Sequence, residues 1–367
     1  MFNFLSKKSP KETKVVVAMS GGVDSSVVAA KLSTLGYNVT GITLQLYDQG
    51  NAMAKKGACC AGQDIYDAKT VADKFGFPHY VLDYESKFKQ SVIDDFADSY
   101  MRGETPLPCI RCNQSVKFKD LLKMAKDLDA DYLATGHYVN LVHGKSGPEL
   151  HKGKEQRKDQ SYFLFTTTKE QLKFLQFPLG SMTKEDTRKE ALDLGLTLAD
   201  KPDSQDICFV PGGSYAEVIK KIRPGAEIEG KIMHVDGFEL GTHKGIINYT
   251  IGQRKGLNIA YGSPLYVVKI DPTNNLVYLG TEKDLYSGEF IAKDINWIGD
   301  EPLTQTGIEV EVKIRSSHIG AKAKIYPLDD KYIRVIFSGP EKSVTPGQAC
   351  VFYHDSRVLG GGWILGK

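Results

Sequence analysis

Residues 15–32 read VVVAMSGGVDSSVVAAKL, two hydrophobic periods joined by a break. Val15, Val16 and Val17 form a run of β-branched residues, the pattern of a strand buried in a parallel sheet. Ser20-Gly21-Gly22-Val23-Asp24-Ser25 interrupts the run. Val27, Val28, Ala30, Lys31 and Leu32 then continue as a helix whose apolar face returns to that sheet. A strand, a Gly-rich turn and a helix N-terminus together make an anion site. Backbone N–H groups converge there, the helix dipole favours negative charge, and Gly21 and Gly22 let a phosphate approach without a Cβ in the way. No Lys-Ser/Thr pair follows the glycines, and the spacing is not GxGxxG, so neither familiar phosphate loop applies.

Outward from this unit, residues 15–140 alternate between strand and helix. YNVTGITLQL at 37–46 reads as a second strand, with Leu44 near its carboxyl end, where ligands bind open α/β sheets. Residues 64–75 carry Ala68, Val71, Ala72 and Phe75 at helical spacing, and 79–82 form a third strand. A helix with Phe88, Val92, Phe96 and Tyr100 on one face leads to GETPLPCIRCN at 103–113, which reads as a loop. Phe118, Leu121, Leu122, Ala125 and Leu128 mark another helix, and Tyr132-Leu133-Ala134 another strand, ending in Thr135-Gly136-His137. Such alternation implies an α/β fold, a doubly wound parallel sheet with its site at the strand carboxyl ends. From 140 to about 215 the periodicity weakens, with helical pieces at 169–174 and 183–194, and 214–223 reads as a short capped helix. Beyond that the signal is almost entirely β. Ile308, Val310, Val312 and Ile314 alternate with Glu309, Glu311, Lys313 and Arg315, and 349–353 and 358–365 continue in that style, which suggests a small C-terminal β-barrel. Residues 237–278 read as a separate intermediate domain. The expected division is 1–210, 211–287 and 288–367.

With 367 residues, two or three domains are expected rather than one large core. A hydrophobic share of 41% and a charged share of 25% are ordinary for a soluble protein, and no apolar run approaches the roughly 18 residues of a membrane span. A formal charge of +2 neither requires nor excludes a nucleic-acid partner; any basic surface must be local. The opening MFNFLSKKSPKETK has neither a signal-peptide core nor the arginines of a transit peptide, so a cytoplasmic location is expected. There the six cysteines stay reduced and serve as ligands, reactive thiols or core residues.

Cys109-Ile110-Arg111-Cys112 is a CxxC between Pro108 and Asn113, and Cys208 lies almost a hundred residues later in DSQDICFV. A zinc or iron–sulfur site, plain structural cysteine, and a redox or sulfur-carrying pair all remain open for these thiols, although a tetrahedral zinc site wants a second CxxC that the chain lacks. The adjacent Cys59-Cys60 and Cys350, on an apolar alternating strand, read as ordinary buried cysteine.

The turn at 20–25 resembles the PP-loop, SGGxDS, of enzymes that split ATP into AMP and pyrophosphate. That resemblance alone leaves GMP, NAD and lysidine synthetases open. AMSGGVDSSV at 18–27, GETPLPCIRCNQSVKF at 103–118, DYLATGHY at 131–138, KDQSYFL at 158–164, DSQDICFV at 203–210, YTIGQRKGL at 249–257 and PGQACVFY at 346–353 narrow it. Together they make the chain similar, across nearly its whole length, to the tRNA-specific 2-thiouridylase (MnmA) family. The resemblance implies a PP-loop domain, a small central domain and a C-terminal β-barrel. It also implies an ATP-dependent sulfurtransferase that replaces the C2 oxygen of a wobble uridine by sulfur. The C2 oxygen is adenylated, and sulfur arrives from a cysteine persulfide. ATP with Mg²⁺ is the implied cofactor, with no permanently bound metal. The implied partners are tRNA and a persulfide donor such as a cysteine desulfurase or sulfur-relay protein, and no membrane.

Carried over residue by residue, Cys112 is the nucleophile and Cys208 the persulfide carrier, and the two close a disulfide when sulfur leaves. Ala18, Met19, Ser20, Gly21, Gly22, Val23, Asp24 and Ser25 hold ATP, with Asp24 helping to place Mg²⁺, Leu44 against the adenine and Gly136 allowing close approach. Leu107, Pro108, Cys109, Ile110 and Arg111 surround the target base. His137, Lys158, Asp159, Gln160 and Gln348 contact the tRNA. Some relatives carry Asp where this chain has Cys109. The general acid/base is therefore unassigned, and Cys109 offers an off-path disulfide with Cys112. Two rivals stand beside this reading: a PP-loop amidating ligase, which has no use for two separated thiols, and a non-catalytic RNA-binding protein, against which the intact loop and cysteines argue.

Overall fold

The computed structural model describes residues 4, 6–46, 61–202, 207–210 and 214–366. The Cys59-Cys60 pair and Asp203-Ser204-Gln205-Asp206, part of the Cys208 motif, lie outside these. The chain folds into two compact units, one formed by residues 1–91, 109–211 and 356–358, the other by 92–108, 212–355 and 359–367.

The first unit is built on a five-stranded sheet. Its strands are β1 (Lys14–Ala18), β2 (Asn38–Gln45), β3 (His79–Asp83), β4 (Tyr132–Ala134) and, after the hairpin β5 (Val139–Gly144) and β6 (Gly147–Lys152), the two-residue β7 (Leu175–Gln176). The order is β3-β2-β1-β4-β7 and every pairing is parallel. Val15, Val16 and Val17 at its centre are each at most 1% exposed, which is why that run carries no polar alternation. Helices α1 (Val23–Thr34) and α2 (Ala61–Phe75) follow β1 and β2, and Val27, Val28, Ala30, Leu32, Ala68, Val71 and Ala72 share one core with Val15 and Val17. The chain runs outward from β1 through β2 to β3, then returns to the other side of β1 as β4. The loops after β1 and β4 therefore meet at a topological switch point, where a doubly wound sheet opens a crevice.

Three local features differ from the sequence expectation. The CxxC does not lie in a loop: Pro108–Cys112 is a helical turn that continues through a π-helical stretch, Asn113–Leu121, into Leu122–Asp127. Pro108 opens that turn, where a missing N–H costs nothing and the fixed φ suits the helix. The hairpin β5–β6 falls where periodicity is weak, because Gly144, Gly147 and Pro148 interrupt short strands. Ser214 makes no side-chain cap, although the helix it precedes, Tyr215–Ile222, is present. Thr183 does cap: its side chain and that of Asp186 form a capping box at the start of Lys184–Asp193.

The second unit contains a four-stranded sheet and a barrel. The sheet joins β8 (Gly230–His234), β9 (Glu239–His243), β10 (Tyr266–Asp271) and β11 (Leu276–Gly280) in the order β10-β11-β8-β9, over a core of Ile232, Ile246, Leu257, Leu265, Val267, Val277 and Leu279. Six further strands are β12 (Tyr286–Trp297), β13 (Ile308–Lys313), β14 (Ala321–Pro327), β15 (Tyr332–Lys342), β16 (Ala349–His354) and β17 (Arg357–Gly366). They run β12-β15-β14-β13-β16-β17, and β17 pairs back onto β12, closing the expected barrel and leaving it no free edge. Val310, Val312, Cys350 and Phe352 fill its interior, while Glu309 faces water. Residues 92–108 belong to this unit. Tyr215 packs on Phe96 and Tyr100, Arg223 pairs with Asp94 and Asp98, and the Thr105 N–H donates to Pro346 O at 2.8 Å.

Candidate active site

The anion loop leaves β1 at Ala18 and enters α1 at Val23. Met19 is buried and donates its N–H to Ile42 O, which pins the loop to β2. Gly21 has a φ of +72°, and a Cβ there would overlap the backbone carbonyl of Asp64 on α2. Glycine is thus required twice, by the dihedral and by the contact. The Ser20 N–H donates to Ser25 Oγ at 3.1 Å, which in turn donates to Gly22 O, folding the turn over the start of α1. The first-turn N–H groups of α1 have no carbonyl within the helix to reach, and they remain available to an anion. Across the crevice, a Cβ on Gly136 would lie 2.8 Å from Ser25 N, so the loop after β4 is pressed directly on the first turn of α1. Leu44 is half-buried near the end of β2, in register with Leu82.

Two lysines close this loop. Lys184 Nζ donates to Asp24 Oδ1 at 2.7 Å and Oδ2 at 2.9 Å, and the Tyr138 hydroxyl donates to Asp24 Oδ1 at 2.8 Å. Lys201 Nζ donates to Gly21 O at 2.9 Å and bridges Asp64 and Asp67; burial disfavours its charge, but the hydrogen bonds to the two carboxylates together outweigh that and raise its pKa. The donor set fits a polyanion. Asp24 has Lys184 on both carboxylate oxygens and the Tyr138 hydroxyl on one, so a divalent cation at Asp24 would share the carboxylate with the lysine. Among the described residues, moreover, no cluster of three or more His, Cys, Asp or Glu could hold a metal.

The thiols form a second neighbourhood in the same unit. Cys109, Cys112 and Cys208 are in no disulfide; Cys109 and Cys208 are exposed and Cys112 is buried. The helical turn at Pro108–Cys112 puts Cys109 and Cys112 three positions apart, on neighbouring sites of one face. Cys208 sits on a turn closed by Val210 N–H donating to Ile207 O at 2.9 Å. Phe209 packs edge-on to Phe88, and Val210 is buried. Burial raises Cys112, while the half-buried Lys117 opposes that rise and Cys109 adds to it. Crowding beneath the Cys208 sulfur, with Cys112 and Cys109 close enough to be felt electrostatically, pushes that thiol up to about 12 even though the residue keeps an exposed surface. Lys117 acts on both thiols and on His137, so one cation faces the whole group. Burial, with Lys117 adding to it, pulls His137 down to about 3, so the ring is neutral at any working pH. His137 Nδ1 lies 2.7 Å from Thr135 Oγ1, and the ring sits edge-on to Phe118 and Phe177.

The remaining candidates are placed as follows. Ile110 is fully buried, and Arg111 donates to Gln114 Oε1. Asp159 accepts from Gly153 N, Ser161 N and Ser161 Oγ, and Gln160 Oε1 accepts from Tyr138 N, so both side chains fasten the backbone behind His137. Lys158 is half-buried beside them, its N–H donating to Glu155 O. Leu107, Pro108 and Gln348 belong to the second unit, where Gln348 Nε2 donates to Thr105 O at 3.2 Å. Sequence reading did not single out Lys117, Tyr138, Lys184 or Lys201. The capping pattern Thr183-Lys184-Glu185-Asp186 fixes where Lys184 enters its helix, but nothing local reveals that its partner lies 160 positions upstream.

An α/β domain with a Gly-rich loop at its switch point, followed by a small sheet domain and a closed barrel, defines a class of multidomain proteins. Three family models fit it: a tRNA methyl transferase HUP domain over residues 13–212, a tRNA methyl transferase PRC-barrel domain over 216–281, and an aminomethyltransferase beta-barrel domain over 287–364. A protein of Rickettsia felis called tRNA-specific 2-thiouridylase MnmA is 66% identical over 96% of this chain and 97% of its own length. One of the same name from Rickettsia canadensis is 65% identical over 96% of each. The chain therefore belongs to the tRNA-specific 2-thiouridylase family. Among solved structures, a 4-thiouridine synthetase in complex with RNA and ATP is 20% identical over 54% of this chain and 45% of its own, with a TM-score of 0.37, too loose a match to bear on function.

Proposed function

We propose that this protein is an ATP-dependent tRNA 2-thiouridylase that exchanges the C2 oxygen of a wobble uridine for sulfur. The family models speak of methyl transfer and the relatives of thiolation. The observation that favours sulfur is the gathering of three thiols, Cys109, Cys112 and Cys208, around one lysine in the unit that carries the anion loop. Methyl transfer needs no such set, and an amidating ligase needs none either.

The chemistry explains why both neighbourhoods are needed. An amide-like C2 carbonyl is a weak electrophile, and oxide does not leave. In the proposed reaction the C2 oxygen attacks the α-phosphorus of ATP, pyrophosphate departs, and the oxygen becomes part of an AMP leaving group. A persulfide on Cys208 then adds its terminal sulfur to C2. The Cys112 thiolate attacks Cys208 Sγ, the S–S bond to the transferred sulfur breaks, and a Cys112–Cys208 disulfide forms. The electron pair moves to the transferred sulfur, which closes to the thiocarbonyl as AMP leaves. A thiol reductant supplies two electrons to reset the pair.

In this reading residues 18–25, Leu44 and Gly136 hold ATP, and any magnesium at Asp24 shares the carboxylate with Lys184. Cys109, Arg111, Lys158 and Gln348 touch RNA. The same reading gives Leu107, Pro108 and Ile110 to the target base and Asp159 and Gln160 to the tRNA, and neutral His137 offers a hydrogen bond to a base rather than charge to a phosphate. Reaching C2 requires the uridine to leave the anticodon stack. The reading includes a cytoplasmic protein divided at 1–210, 211–287 and 288–367, supplied with sulfur by a persulfide-bearing partner. Among the described residues no helix is long and apolar enough to cross a membrane.

The test is mass spectrometry of nucleosides from tRNA incubated with the protein, ATP, a persulfide-bearing sulfur donor that loads Cys208, and a thiol reductant that resets the pair. The expected product is 2-thiouridine at the wobble position, dependent on ATP and on both Cys112 and Cys208. Uridine left unchanged under those conditions, or a methylated base, overturns the reading.

A further inference from the structure

We propose that Lys184 is a member of the nucleotide site, a cation built into the protein that cancels the charge of Asp24 so that α1 can accept a polyphosphate. The inference rests on the reading of residues 18–25 as an ATP loop.

Asp24 lies in the first turn of α1, where the helix dipole favours a carboxylate as much as it favours a phosphate. Left alone, that carboxylate would compete with the incoming anion and repel it. Lys184 removes the conflict. Its ammonium grips both Asp24 oxygens and lies 5.7 Å from the centre of the Tyr138 ring, whose hydroxyl also donates to Asp24. The Tyr138 hydroxyl is itself placed 2.9 Å from Thr187 Oγ1, one turn along the helix that Lys184 opens. Lysine is rarely buried, and Lys184 is only 9% exposed. A buried ion pair adds little net stability over apolar packing of the same volume, so one aimed into a ligand loop points to function rather than to the core. The capping box at Thr183 and Asp186, together with the Lys184 N–H donating to Glu155 Oε2 at 2.7 Å, fixes the backbone from which the ammonium reaches. The cation at Asp24 is thus supplied by the chain itself, and Asp24 need not be a magnesium ligand.

The experiment measures binding of ATP, inorganic pyrophosphate and AMP by calorimetry to the wild-type chain and to Lys184→Met, Lys184→Arg and the double variant Asp24→Asn/Lys184→Met, with a thermal melt of each. In Lys184→Met, ATP and pyrophosphate should weaken by about 30-fold, because an uncompensated carboxylate is left facing the phosphates, while AMP changes by less than about threefold. Removing the carboxylate as well should restore at least about tenfold of the loss, and Lys184→Arg, which keeps the charge, should bind ATP more tightly than Lys184→Met. A merely structural pair would lower ATP and AMP together, with the melting temperature, and would gain nothing from the second substitution. Unchanged ATP affinity in a folded Lys184→Met protein, or equal loss of ATP and AMP, overturns the inference while leaving the ATP reading intact. A folded wild-type chain that binds no ATP overturns that reading first, and the role of Lys184 with it.

Discussion

The anion loop at residues 19–25 and the thiol neighbourhood around Cys112 and Cys208 share one compact unit, yet they are assembled in opposite ways. The loop is a continuous piece of chain whose shape follows from its own glycines, its own serines and the helix it starts. The thiols come from segments almost a hundred residues apart, and their chemistry depends on a lysine, a turn and burial that no single stretch encodes. The first site should therefore break through backbone geometry and the second through single-atom chemistry, and substitutions can separate the two.

The largest effect should come from the sulfurs. Cys112→Ser and Cys208→Ser should each reduce thiouridine formation by at least about a thousandfold, measured as thionucleoside per tRNA, with ATP and tRNA affinity unchanged. Product retained by either variant would dissolve the pairing. Next, Gly21→Ala forces a side chain into a left-handed backbone and against the Asp64 carbonyl. ATP affinity should fall by more than about tenfold, while Cys109 and Cys208 still react with iodoacetamide at wild-type rates. Coupled loss of both would mean that the two neighbourhoods are one.

The pH dependence sharpens the contrast further. Because burial lifts Cys112, and lifts Cys208 to about 12, both thiols are protonated at neutral pH and their thiolate fraction grows as pH rises. Alkylation of Cys208 should climb about tenfold per pH unit between pH 7 and 9 without a plateau, whereas an ordinary cysteine levels off near 8.5. A plateau below pH 9 would contradict the crowding described above. Lys117→Met removes the opposing cation, so Cys112 should react roughly threefold more slowly still at pH 8. The smallest effect belongs to Cys350, packed in the barrel with its Sγ near Gly362 O. Cys350→Ala should cost about 1–2 kcal/mol of the second unit's stability by thermal melt, with thiolation per folded molecule unaltered.

This contrast also explains what could be read in advance. Strand β1, the Gly21-Gly22 turn and helix α1 were legible because hydrophobic period and glycine chemistry are local signals, and the alternation at 308–313 announced the barrel in the same way. The CxxC was misread as a loop because prolines and cysteines in a short stretch look irregular, although Pro108 is well suited to open a helix. The Lys184–Asp24 pair, the Tyr138 hydroxyl and the field of Lys117 were not legible at all. The first two join residues more than a hundred positions apart, and Lys117 acts on Cys208 as well as on nearby Cys112, so these contacts exist only once the unit has folded. Family likeness named Asp24 as a metal-placing residue; the structure adds Lys184 and Tyr138 as its protein partners.

The central claim is that Cys112 and Cys208 meet during turnover. Peptide mapping after a single turnover without reductant, with persulfide-loaded enzyme, ATP and tRNA, tests it most directly. One Cys112–Cys208 disulfide should appear for each thiouridine formed. Thiouridine formed while both thiols stay reduced, or accompanied by a Cys109–Cys112 bond instead, would contradict it.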